Sequence, residues 1–215
     1  MTIYLFSGLG ADYRVFSQLD LSVLSDKIIH INWIHPLYKE KISDYALRII
    51  QSQITDDSCI FIGVSFGGIM AIEVAKHKKP LKIILLSTIK TKNELPFYYR
   101  WFGNLKIQNL IPDMYFLKAH SLLFYFFGIT EKKDKIIMSQ ILNDTDIKFT
   151  RWAIDQVIGW DNKNIPDNLV HIHGSKDKIF PARYIKVDHM ITNQGHFMIL
   201  SDSTSIQNIL IQTIN

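Results

Sequence analysis

The chain has 215 residues, 47% of them apolar and 20% charged, with a formal net charge of +4; it is long enough to bury a sizeable core in one domain, and its composition is ordinary for a globular protein. Its only tight basic cluster, Lys76-His77-Lys78-Lys79, closes an expected helix, where cations complement the helix dipole, so no nucleic-acid surface is expected. A lone Cys59 excludes an internal disulfide, no basic-then-apolar leader opens the chain and no apolar run approaches a membrane span, which predicts a cytoplasmic enzyme or binding protein.

A first strand is predicted at Ile3–Phe6, followed by the turn Ser7-Gly8-Leu9-Gly10 and a helix near 13–19. A second strand, Ile28–Trp33, leads through Ile34-His35 to a helix over 43–54, which Ser43 is placed to cap. A third, Ile60–Val64, enters Gly63-Val64-Ser65-Phe66-Gly67, and the helix over 67–79 that follows is stopped by Pro80. The fourth strand is Ile83–Leu86. Residues 92–160 then read as helices joined by short loops at Gly103, Pro112 and Gly128. A fifth strand at Leu169–His173, a weaker sixth at His189–Thr192 and a helix over 203–213 complete the order.

These strands are continuous apolar runs, the pattern of parallel strands buried on both faces. Their alternation with helices predicts an α/β fold: a three-layer α/β/α sandwich of about six mainly parallel strands with right-handed crossovers. No internal repeat or low-complexity linker divides the chain, so a single domain over 1–215 is expected, with 92–160 inserted as a helical cap. Residues 97–127 of that insertion hold eleven of the chain's 26 Phe, Tyr and Trp residues, among them Phe97, Tyr98, Trp101, Phe102, Tyr115 and Phe116. Two readings stand side by side. The aromatics glue the cap to the body, or they line an apolar pocket above Ser65. A membrane-facing rim is a weaker third idea, because polar residues interrupt the run.

Ligand sites in open parallel sheets lie at the carboxyl ends of the strands. There, Gly63-Val64-Ser65-Phe66-Gly67 places a serine at the tip of a strand-to-helix turn, with glycines where side chains would obstruct a strained residue. The same letters fit a glycine-rich turn that binds an anion. A serine nucleophile needs a base, and the base needs an orienting acid. His196, on the loop after the last strand, is the best-placed histidine. His30, His171 and His173 fall within strands, His77 at a helix end and His120 in the cap. His189 lies at the wrong sheet edge, and His35 precedes the serine in the chain. Asp177 follows the fifth strand, although a turn-forming role fits it too; the loop after the fourth strand, Ser87-Thr88-Ile89-Lys90, offers no carboxylate. The backbone N–H groups of Phe66 and Leu9 are the expected oxyanion donors. Gly8 and Trp33, at strand ends, and Phe97, Tyr98, Trp101 and Phe102, in the cap, are the expected substrate contacts. The histidines are scattered without metal-ligand spacing, and neither metal nor cofactor is expected.

The chain resembles the α/β-hydrolase fold superfamily, through Gly63-Val64-Ser65-Phe66-Gly67-Gly68, His173-Gly174-Ser175-Lys176-Asp177 and Gly195-His196-Phe197. Within it, the chain looks like the small cap-bearing serine esterases and thioesterases. The resemblance implies a core lacking the first two strands, and a Ser65-His196-Asp177 triad that cleaves a small-molecule ester or thioester with an apolar acyl group. C–C bond hydrolysis, a lyase step or a non-catalytic receptor for a small ligand are the alternatives, since fold does not fix chemistry. Two departures stand out. Ser7 replaces the histidine that often precedes the oxyanion glycine. Only about nine residues separate Asp177 from Val187, where a parallel crossover usually takes a dozen or more, so a short turn of helix must serve.

Overall fold

The computed structural model describes residues 1–104 and 120–214. Six strands form one sheet: β1 (Thr2–Phe6), β2 (Lys27–His30), β3 (Cys59–Val64), β4 (Lys82–Leu86), β5 (Leu169–Gly174) and β6 (His189–Ile191). Their order is β2-β1-β3-β4-β5-β6, and every neighbouring pair is parallel. The helices are α1 (Ile42–Gln53), α2 (Phe66–Ala75), α3 (Phe97–Asn104), α4 (His120–Phe127), α5 (Lys132–Asp144), α6 (Ile147–Gly159), α7 (Met198–Ser201) and α8 (Ser203–Ile214).

Strand side chains alternate between two buried layers, which is why the apolar runs are unbroken. Tyr4, Phe6, Phe61, Ile83 and Leu85 pack on one side with α1, α2 and α6. Ile3, Leu5, Ile60, Ile62, Ile84 and Leu86 pack on the other with α5, α7 and α8. α2 is buried along Phe66–Val74, as a helix apolar on all sides must be. The last crossover, from β5 to β6, contains one 3-10 turn at Ala182–Tyr184.

Several boundaries move for physical reasons. β2 stops at His30, short of Trp33, because its partner β1 ends at Phe6. Beyond the last ladder bond, Ile31 N–H to Leu5 C=O, the chain turns to side-chain partners. Asn32 exchanges two 2.8 Å hydrogen bonds with the Gln53 amide, and Ile34 exchanges two of 2.9 Å with the Tyr45 hydroxyl. Ser43 does not cap α1. Lys41 holds the cap position without a side-chain bond, and Gln156 of α6 accepts the Ile42 N–H at 3.0 Å instead. The helix near 13–19 is a 3-10 turn at Tyr13–Phe16. α2 ends at Ala75, well before Pro80, where the Lys76, His77 and Lys78 N–H groups fold back onto Glu73 and Val74. Gly103 lies inside α3, not in a loop, and Gly128 turns the chain between α4 and α5 at φ 74°. Pro112, Tyr115 and Phe116 lie outside the described residues.

Candidate active site

Ser65 sits between β3 and α2 at φ 53°, ψ −120°, a backbone region that costs a non-glycine residue energy and persists only where the surroundings enforce it. The surroundings are visible. Ser65 N–H donates to the Leu86 carbonyl of β4 at 2.9 Å, and Thr88 Oγ1 donates to the Ser65 carbonyl at 2.6 Å. A Cβ on Gly67 would lie 2.1 Å from the Phe6 carbonyl oxygen, and one on Gly63 would lie 2.6 Å from that of Gly67. Only glycine fits either position.

His196 lies on the loop after β6, buried between the edges of the Phe127 and Phe180 rings. Its Nδ1 is 2.7 Å from Asp177 Oδ2 and its Nε2 is 2.9 Å from Ser65 Oγ. A carboxylate only accepts, so Nδ1 carries the proton and Nε2 is left to accept from the serine hydroxyl. The other oxygen of Asp177, Oδ1, accepts the Ile179 and Phe180 N–H groups at 2.8 Å each. Asp177 is thereby fixed in its loop and aimed at His196. Serine, histidine and aspartate, from three separate strand ends, form one hydrogen-bonded row.

Behind the row, β5 carries two further buried histidines. His173 Nε2 donates to the Phe180 carbonyl at 2.8 Å and lies 3.4 Å from Asp177 Oδ2. His171 Nδ1 is 3.3 Å from the Lys90 ammonium, which also donates to the Lys186 carbonyl and pairs with Glu94 at 3.2 Å. Burial pushes the pKa of both imidazoles down. For His171 the neighbouring His173 and Lys90 add to the shift, and for His173 the nearby Asp177 opposes it. Both rings are held neutral.

The loop after β1 closes on itself: Ser7 Oγ donates to the Ala11 carbonyl at 2.7 Å and Ala11 N–H to the Gly8 carbonyl at 3.0 Å. Gly8 packs against Ser65, where a Cβ would sit 3.6 Å from the serine's own. Leu9 N–H and Phe66 N–H have no acceptor among the described residues. For Phe66 this follows from its place at the start of α2, whose first N–H groups have no partner within the helix.

Leu9, Ser65, Phe66 and His196 open into a cavity of about 470 Å³. Its walls come from α4, α5 and α6 and the segment after Asp177, and no Asp, Glu, Lys or Arg is among the described residues lining it. Phe97, Tyr98 and Trp101, expected as contacts, do not line it. Phe97 and Trp101, four residues apart on one helix face, are 75% and 61% exposed, while Tyr99 turns inward. Tyr98 packs against the Phe97 and Tyr99 rings, and the Phe102 side chain lies outside the described residues. Trp33 is displaced as well. It donates to the Gly8 carbonyl at 3.3 Å and packs on Phe66 and Phe149, supporting the loop from behind. Lining residues that the aromatic signal missed include Met138, Leu142, Ile154, Val157 and Ile158, whose helical spacing was the available clue.

Among the described residues no three His, Cys, Asp or Glu side chains are grouped to hold a metal ion, and no helix is long and apolar enough to cross a membrane.

Neither a protein-family model nor a curated protein matches the chain. Solved structures do. A meta-cleavage product hydrolase from Pseudomonas fluorescens is 14% identical with a TM-score of 0.69, over 100% of this chain and 90% of that one. An esterase from Exiguobacterium antarcticum is 16% identical with a TM-score of 0.69, over 100% and 91%. A bromoperoxidase from Bacillus anthracis is 13% identical with a TM-score of 0.72, over 99% and 91%. Their names differ, so what they share with this chain is architecture. The parallel six-stranded sheet, its flanking helices and these likenesses together show that the chain has the α/β-hydrolase fold.

Proposed function

We propose that this protein is a serine hydrolase that cleaves a carboxylic ester or thioester with an apolar acyl group, and that the helices between β4 and β5 serve as its cap. The observation that carries this reading is the continuous row Ser65 Oγ–His196 Nε2 and His196 Nδ1–Asp177 Oδ2, at 2.9 and 2.7 Å. In the reaction, Ser65 Oγ attacks the substrate carbonyl carbon while its proton passes to His196 Nε2. Asp177 stabilises the imidazolium so formed. The N–H groups of Leu9 and Phe66, which have no acceptor among the described residues, meet the oxyanion, and the N-terminal end of α2 adds a favourable dipole. His196 then protonates the departing alkoxide or thiolate, and the carbon–oxygen or carbon–sulfur bond breaks. A water, deprotonated by His196, releases the acid from Ser65. This chemistry calls for no metal or cofactor.

The reading predicts turnover of p-nitrophenyl esters that is lost in Ser65→Ala, with the variant still folded by circular dichroism. Turnover that survives the substitution would refute it.

A further inference from the structure

The walls around Ser65 carry information about what the substrate can be. Among the described residues, the only polar side chains lining the large cavity besides Ser65 and His196 are Tyr99, Thr145 and Thr150. Each has one hydroxyl proton, and each proton is already used. Tyr99 donates to the Ile179 carbonyl at 3.0 Å and Thr150 to the Asp146 carbonyl at 2.8 Å. Thr145 lies 2.8 and 2.7 Å from the carbonyls of Gly10 and Ile141. A carboxylate, phosphate or second carbonyl in this chamber would lose its hydration and, among the described residues, find no free side-chain donor in return. The chamber accepts hydrocarbon.

A second, much smaller hollow of about 40 Å³ lies against the same two polar residues. Val15, Val64, Ile141 and Phe197 are among its walls, and Ser65 and His196 are its only polar side chains among the described residues. Leu9, Phe127, Met138 and Leu142 line both spaces and so form the partition between them. A resident water needs two to four polar partners. Here the two polar side chains are already bonded to each other, and the Leu9 N–H, whose residue also borders the hollow, is the proposed oxyanion donor. The small hollow suits a methyl or ethyl group better than water.

The reacting serine therefore stands where two apolar spaces of very unequal size meet. We propose that the substrate is an unequal ester or thioester, joining a long hydrocarbon chain to a one- or two-carbon group, with no other polar function. The proposal rests on the serine-hydrolase reading. The bond broken is the one between the acyl carbon and the ester oxygen or thioester sulfur; one half leaves with the proton from His196, and water completes the other.

Three isomeric esters test this, because they share composition and differ only in where the ester sits: ethyl decanoate, decyl acetate and hexyl hexanoate. At least one of the two unequal isomers should exceed hexyl hexanoate in kcat/KM by roughly tenfold or more. Preference for ethyl decanoate puts the acyl chain in the large chamber; preference for decyl acetate puts the alcohol there. Ile141→Ala, which enlarges the small hollow, should raise hexyl hexanoate relative to the preferred isomer, and Val15→Ala serves the same purpose if that variant does not fold. Hexyl hexanoate turned over as well as both unequal isomers overturns the proposal. So does absence of turnover for all three by protein whose Ser65 reacts with a fluorophosphonate. Failure of Ser65 to react at all would instead strike the hydrolase reading itself.

Discussion

Ser65 is held in a strained conformation by two glycine-only contacts and by hydrogen bonds to β4 and Thr88, so its hydroxyl stands clear of the backbone beside His196. Asp177 is held as firmly, with two backbone donors on one oxygen and His196 on the other. Asp177→Asn keeps the size but places an amide where a pure acceptor stood, so the imidazole can settle in the wrong tautomer. Ester turnover by this variant should fall by about 10³–10⁴-fold in kcat with an unchanged circular dichroism spectrum; activity within a few-fold of the parent would show that Asp177 does not orient the base. That these three side chains would meet was legible in the sequence, because strand ends and chain order limit which residues can come together there. The role of Trp33 was not. Its strand was read as running to Trp33, but without a neighbour to pair with, the segment turns and carries the indole behind the Gly8 loop.

Elements show the same division between backbone pattern and side-chain partnership. Parallel strands were readable because burial on both faces leaves unbroken apolar runs. The start of α1 was misjudged because its first N–H finds a partner 114 positions away, in Gln156, which no local cap rule can see. Gln156→Ala should cost about 1 kcal/mol of stability, measured by urea unfolding; no change would mean that water replaces the amide without loss. β5 makes a prediction of the opposite sign from that of a histidine held as a cation in an ion pair. His171 and His173 are neutral in the fold, with pKa values pushed below the ordinary 6.5, whereas in the unfolded chain they protonate near that value. Below it the unfolded chain binds more protons, so stability is complete above about pH 6.5 and declines as the pH falls. The urea midpoint should drop steadily from about pH 6.5 to pH 5. A midpoint that is flat across that window would show that the two rings are not kept neutral by burial.

At the scale of the molecule, the sheet brings the ends of β1, β3, β5 and β6 to one edge, and the helices that follow β4 wall in a space with no charged lining among the described residues. That helices between β4 and β5 would face Ser65 was readable from their position in the chain. Which residues face inward was not, because dense aromatics mark a helix as apolar without saying which side is buried. Phe97 and Trp101 point outward, while aliphatic residues of α5 and α6 complete the chamber. Chamber and row together support the proposal that Ser65 is a nucleophile activated by His196 in an apolar site. Intact-protein mass spectrometry after exposure to an alkyl fluorophosphonate tests it most directly. One adduct per chain is expected, mapped to Ser65 and absent from both Ser65→Ala and His196→Ala. An unmodified parent protein, or equal labelling of the Ser65→Ala variant, would contradict it.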